Sequence, residues 1–341
     1  MKLKFGYVRT ACALVATADA AVFVMPSVSG QTPVGLVPLD RPTPPAVIDG
    51  LDILKVQGQV YMVAGAGGNV VVQTGDEGVL VVDTGAPGQS AKVLDAVAAL
   101  SPRRLRFMIN TSADPDHIAG NGDVVQSVGF RGNRPGQVVG GGGNPGGANA
   151  GALTMAHEGA LTRMVNAGIS GEALPISTFF GLRKEFFSNG EAVQLLHQPA
   201  AHTDGDVIVV FRKSDVVATG DIFVPHAYPV IDTARGGTVD GLIDALNNIL
   251  DVTIPERNQM GGTRVIPGHG RISNEAEIVD YRDMVTIVRD RVQEMIKKGM
   301  TPQQIKAARP ALEYDGYYGA ASGPSSPDGF LDAVYRSLGG R

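Results

Sequence analysis

Four polar clusters constrain this chain most, because each lies against a short apolar run. Asp114, Asp116 and His117 follow the run at 105–109, and His202, Asp204 and Asp206 precede the run at 207–211. Asp221 follows the run at 216–218, and His269 follows the one at 264–266. Short runs rich in valine and isoleucine, bounded by glycine and asparagine, read as strands. Strand ends form a rigid rim on which ligands can converge. Two carboxylates and an imidazole within one turn, as at 114–117, are what a hard or borderline divalent cation needs.

The runs come in two series. Strands are expected at 51–56, 60–64, 69–74 and 78–83, then at 106–110. A second series is expected at 185–187, 192–197, 206–211 and 216–219, with a last short strand at 264–266. Helical spacing marks 89–100, 119–128, 155–167, 238–250 and 275–298, and Thr301-Pro302 opens a shorter helix to 308. The final residues, including 316–327, read as irregular. Two strand series, each followed by helices, predict two stacked sheets with helices outside.

With 341 residues, 43% hydrophobic, the chain is long enough to bury one large core or two modest ones. Its formal charge of −5 comes without any basic run interleaved with aromatics, which argues against a nucleic-acid partner. Residues 1–30 resemble a cleavable secretory signal, with Lys2, Lys4 and Arg9 ahead of a mostly apolar stretch and small residues at 28–30. A periplasmic or secreted protein is therefore expected, with no stable membrane association once the leader is removed. Residues 31–50 read as a proline-rich linker, 51–300 as the main domain and 301–341 as a C-terminal extension. The glycine-rich segment 131–151 reads as a solvated loop or as a flap over a pocket. The only cysteine, Cys12, lies in the leader, so any metal in the mature protein is held by His, Asp or Glu.

Singly, these clusters are weak signals; in this order they resemble the metallo-β-lactamase superfamily. That family carries Asn-Thr-His-x-His-x-Asp-His, then His-Thr-x-Gly-Asp, Gly-Asp and Pro-Gly-His-Gly. The chain offers Asn110-Thr111-Ser112-Ala113-Asp114-Pro115-Asp116-His117, then His202-Thr203-Asp204-Gly205-Asp206, Gly220-Asp221 and Pro267-Gly268-His269-Gly270. Val81-Val82-Asp83-Thr84-Gly85 is similar to the family's early strand and turn.

The resemblance implies an α/β fold of the αββα-sandwich type, with two stacked mixed sheets and the metal site at one edge between them. It implies one or two divalent ions, zinc first, with manganese or iron as alternatives. Asp116, His117 and His269 would hold the second ion and Asp221 would bridge. The first position, which in the family has three histidines, falls here on Ser112, Asp114 and His202, so only His202 is kept. Asp114 still offers an oxygen, and Ser112 is expected to donate a hydrogen bond to Asp114 or to a water. Asp83 is expected to steady the loop beneath the metal, and Asp204 and Asp206 the His202 loop.

The implied activity is hydrolysis of a small-molecule ester, lactone, amide or phosphodiester by a metal-activated water. Asp116 and Asp221 are assigned catalytic as well as ligand roles. Tyr228 is considered as a donor to a developing oxyanion. His157 and Glu158 are weighed as site residues against a capping role, His226 as a site residue, and His197 as a core or edge histidine. An iron oxygenase and a metal-binding module without turnover are the alternative readings. Substrate and oligomeric state stay open.

Overall fold

Strand β11 (Asp206–Phe211) shows why the chain forms stacked layers. All six of its residues are buried. Val207, Val209 and Phe211 enter one hydrophobic cluster, whereas Ile208 and Val210 enter another. Side chains alternate across a strand, so a continuous apolar run needs partners on both faces. The expected stacking of two mixed sheets between helices is present.

The computed structural model describes residues 46–127 and 152–339. The expected leader, most of the proline-rich linker and the glycine-rich segment lie outside them. The first series comprises β1 (Ala46–Ile48), β2 (Leu51–Gln57), β3 (Val60–Ala64), β4 (Val70–Gln73), β5 (Val79–Val82), α1 (Ser90–Leu100) and β6 (Leu105–Ile109). It continues through α2 (Pro115–Ile118), α3 (Asn121–Ser127), β7 (Leu153–His157), α4 (Glu158–Asn166) and β8 (Ser177–Phe179). The second comprises β9 (Arg183–Ser188), β10 (Glu191–Gln198), β11, β12 (Val216–Ala218), α5 (Val239–Val252), β13 (Arg264–Ile266) and α6 (Glu275–Lys297). Three helices close the chain: α7 (Pro302–Ala308), α8 (Leu312–Tyr318) and α9 (Pro327–Ser337).

β1 to β8 form one sheet in sequence order, antiparallel up to β5 and parallel from there. The other sheet runs β13-β12-β11-β10-β9, antiparallel except for the β12–β13 pair. Between the sheets pack Leu80, Val82, Phe107 and Ile109 from one and Leu195, Val209, Phe211 and Ile266 from the other. α1 and α3 cover the first sheet through Val93, Ala96 and Val124. The second is covered by α5 and α6, whose buried Ile278, Tyr281, Val285, Val288 and Val292 follow the helical period. Edge strand β9 alternates exposed Arg183, Glu185 and Phe187 with partly covered residues, and its charges discourage pairing with another chain.

Three local readings are corrected. Residues 155–157 belong to β7, so the helix expected from 155 starts at Glu158; pairing with β6 outweighs local propensity. The helix expected at 119–128 is α3, which starts only at Asn121, and a separate short helix, α2, precedes it. The C-terminal stretch read as irregular contains α8 and α9. Phe330, Leu331 and Val334 of α9 join Ile305 and Tyr318 in the same cluster as α5 and α6. Residues 301–339 thus complete the outer helical layer.

The ends of β5, β6, β12 and β13 meet at one edge, where hydrogen bonds tie the two sheets together. Val207 N donates to Thr111 O at 2.8 Å and Asn69 N to Gly268 O at 2.7 Å, while a bond from Gly268 N to Gly220 O at 2.8 Å joins the loops after β13 and β12 within the second sheet.

Candidate metal centre

Asp83 leaves β5 in the left-handed region, at φ 61°. Its Oδ1 accepts from Thr111 N at 2.8 Å, and its Oδ2 accepts from Thr111 Oγ1 at 2.6 Å. The same Oδ2 lies 2.7 Å from His117 Nδ1. His117 sits on α2, which Pro115 starts directly after Asp114. With Nδ1 held by a carboxylate, the fully buried ring turns Nε2 toward Asp221 Oδ1, 3.2 Å away. The two atoms are not aligned for a hydrogen bond, and both are buried without a hydrogen-bond partner. Burial works against a charge on His117, but the carboxylates of Asp221 and Asp83 outweigh it and hold the imidazole well above its usual range.

His269 reaches the same place from the loop after β13. Asn69 Nδ2 donates to Pro267 O at 3.0 Å and to Gly270 O at 2.9 Å, clamping that loop on both sides of the histidine. Gly268 is required by close approach: a Cβ there would lie 2.2 Å from Asp221 Oδ1. His269 Nε2 is 3.0 Å from Asp116 Oδ2 and 3.5 Å from Asp221 Oδ1. Ligand atoms of Asp116, His117 and His269 all lie within 4.8 Å of one another. Side chains of Asp116 and His269 are 37% and 35% exposed, so the cluster opens to solvent on their side. The hydrogen bond from His269 holds the Asp116 carboxyl below its usual range.

Asp114, His202 and Asp221 form a second group with the same mutual spacing, within 4.8 Å. His202 Nδ1 donates to Val230 O at 2.7 Å, and its Nε2 lies 2.7 Å from Asp114 Oδ2. Arg235 Nη1 donates to the other Asp114 oxygen, Oδ1. Burial raises the Asp114 carboxyl, but His202 and Arg235 outweigh it and keep it below its usual range. Ser112 Oγ accepts from Asp114 N at 3.2 Å. The hydroxyl expected to donate to Asp114 or to a water thus turns back onto its own loop.

The two groups differ in their fit to a cation. In the first, His117 Nε2 is buried without a hydrogen-bond partner and faces the equally unpartnered Asp221 Oδ1 of the neighbouring group, and two imidazole nitrogens converge with the Asp116 carboxylate. That donor set fits a borderline divalent ion such as zinc. In the second, both Asp114 oxygens are already engaged.

Residues 63–269, more than half of the chain, match the model of the metallo-beta-lactamase superfamily. The chain belongs to that superfamily. Within it, the chain is similar to the linear primary-alkylsulfatase of a Pseudomonas species, at 25% identity over 67% of this chain and 47% of that one. Among solved structures, a stereoselective inverting sec-alkylsulfatase from a Pseudomonas species matches with a TM-score of 0.58 at 14% identity, over 83% of this chain and 49% of that one. A metallo-beta-lactamase from Pontibacter korlensis matches with a TM-score of 0.53 at 14% identity, over 69% of this chain and 99% of that one. The chain thus spans about half the length of the alkylsulfatases it matches.

Tyr228 does not reach the centre, which corrects its assignment as an oxyanion donor. Its ring is fully buried against Phe330, at 4.7 Å between centroids. Its hydroxyl donates to Ala311 O at 3.1 Å and to Asp315 Oδ1 at 2.9 Å. A phenol so enclosed fastens the 220s loop to the C-terminal helices and has no face open to a substrate. His226 is exposed and accepts from Arg271 Nε at 3.2 Å. His157 caps α4 by accepting from Gly159 N at 3.1 Å and stacks on His197 at 3.4 Å between centroids. Asp206 holds the His202 loop by accepting from Thr203 N at 2.6 Å and Thr203 Oγ1 at 2.7 Å.

Sequence reasoning missed Arg235 and Asn69. Arg235 lies 121 positions from Asp114, and nothing local marks its partner. Asn69 lies between two strands in a turn, where asparagine is common for backbone reasons alone.

Proposed function

We propose that this protein is a zinc-dependent hydrolase of ester-type substrates, with the ion held by Asp116, His117 and His269 and reached by Asp221. The observation that carries the reading is the pair of buried, unpartnered atoms His117 Nε2 and Asp221 Oδ1 beneath a solvent-open His269. Buried polar groups are rarely left unsatisfied, and two that face each other across a ligand cluster point to a shared cation. When bound, zinc supplies Lewis acidity and a water that loses its proton near neutral pH.

The chain's own groups do the rest. Asp83 fixes the His117 ring through Nδ1, which leaves Nε2 as the coordinating nitrogen. Asn69 fixes the loop that carries His269. Asp116, ionised through neutral pH and half-exposed, is placed to take the proton of the attacking water. Similarity to alkylsulfatases supports an ester, sulfate esters first among them, over an amide. The leader-like residues 1–30 support export to the periplasm or beyond.

The test is hydrolysis by stripped and zinc-loaded protein on a panel of alkyl sulfate, carboxylic ester, lactone, phosphodiester and β-lactam. Turnover of an ester-type substrate is expected, lost on chelation and restored by zinc. His269→Ala is expected to lower kcat/KM by a factor of about 100 or more. Silence of every metal-loaded form on the whole panel contradicts the reading.

A further inference from the structure

The Asp114–His202–Asp221 group already has a positive charge at hand. The Arg235 guanidinium lies on Asp114 Oδ1, and His202 Nε2 lies on Asp114 Oδ2 at 2.7 Å. The other His202 nitrogen is committed to Val230 O at 2.7 Å, so Nε2, already on Asp114, is the one nitrogen this group could offer an ion. We propose that Arg235 is the resident cation of this group and that it excludes a second metal ion, so that the chain binds one ion, not two. The inference rests on the metal reading given above for Asp116, His117 and His269.

Arg235 is built in rather than draped over the surface. Its Nε donates to Asp232 Oδ2 at 2.7 Å, and Asp232 Oδ1 accepts from the backbone N–H groups of Ala234 and Arg235, each at 3.0 Å. Its own carbonyl accepts from Asp204 N at 3.0 Å and from Arg163 Nη2. Arg163 in turn donates through Nε to Asp204 Oδ1 at 2.6 Å, which anchors the loop to α4. Gly236, at φ 85°, lets the chain turn immediately after the arginine, where a Cβ would come 2.9 Å from Asp204 Cβ. The head group is thus set by both its side chain and its backbone before any ligand arrives. Its side chain is 32% exposed.

A guanidinium differs from a metal ion in ways that matter here. Its charge is permanent, and it donates through a planar fork instead of accepting lone pairs. It satisfies Asp114 without drawing on imidazole nitrogens, and Ser112, turned to Asp114 N, adds no ligand. A divalent ion entering this group would have to part His202 from Asp114 Oδ2 and would sit beside the fixed like charge that Arg235 places on Oδ1. The position keeps positive charge next to the centre while the chain keeps N–H donors there, a combination suited to negative charge developing on a substrate oxygen.

Zinc alone is the probe. Chelator-stripped wild type, Arg235→Ala, Arg235→Lys and the double variant Asp114→Asn/Arg235→Ala are titrated with zinc calorimetrically, and bound zinc is counted by elemental analysis. Wild type and Arg235→Lys are expected to hold one equivalent. Arg235→Ala is expected to take a second, which the added Asp114→Asn removes. Should Arg235→Ala fail to fold, Arg235→Met, which keeps the aliphatic stem, replaces it. Two equivalents in wild type, or one in the folded Arg235→Ala or Arg235→Met protein, overturns the inference and leaves the metal reading standing. No zinc in wild type overturns the metal reading and this inference with it.

Discussion

His117 carries the centre because Asp83 commits one of its nitrogens and leaves the other facing Asp221. Asp83→Asn is expected to keep the fold but lower zinc affinity about 10- to 100-fold, since the amide holds the ring less firmly. Competition against a zinc dye measures it, and unchanged affinity would show that Asp83 is dispensable for ligand orientation. A second residue-scale expectation concerns pH. Burial pushes the Asp206 carboxyl up to about 6. A carboxyl raised by folding favours the folded state in its protonated form, so this contribution falls as pH rises from about 4 to about 6. The stability difference between wild type and Asp206→Asn should therefore favour wild type more at pH 4 than at pH 7. Urea unfolding at the two pH values checks the sign. At this scale the acidic and imidazole candidates that the structure brings together were readable from sequence because each abuts a strand. Arg235 was not, because its meaning depends on a partner 121 positions away.

At the scale of elements, the rim is assembled from strand ends and one tightly packed loop. Gly268→Ala would place a methyl 2.2 Å from Asp221 Oδ1, so the loop carrying His269 must shift. The expected outcome is a larger loss of zinc affinity than of thermal stability, and a purely global loss of stability would count against the local account. Tyr228→Phe removes a buried hydroxyl that serves Ala311 and Asp315. It should cost about 1 kcal/mol of stability and leave kcat unchanged, because the phenol faces the C-terminal helices. A fall in kcat of about tenfold or more would return Tyr228 to the site. Valine-rich strands with both faces apolar were recognisable from their composition alone. β7 was not, because Leu153–His157 is a strand only by pairing beside β6. α9 carried a start signal in Ser326-Pro327, the same kind as Thr301-Pro302, but the neighbouring glycines obscured it.

For the whole molecule, the stacked sheets meet at the rim, and the outer helical layer is complete only with residues 301–339. Phe330, fully buried against Tyr228, belongs to that layer. Phe330→Ala should cost about 3–5 kcal/mol in urea unfolding, the range for a large buried ring, whereas a removable extension would register almost nothing. The two-sheet architecture followed from the order of strands and helices. The role of the C-terminal segment did not, since its short helices depend on a surface that α5 and α6 provide. The most direct test of the central claim is the zinc retained by purified wild type and by folded His117→Ala after exhaustive dialysis. The account predicts one equivalent in wild type and none in the variant; equal zinc in both proteins would contradict it.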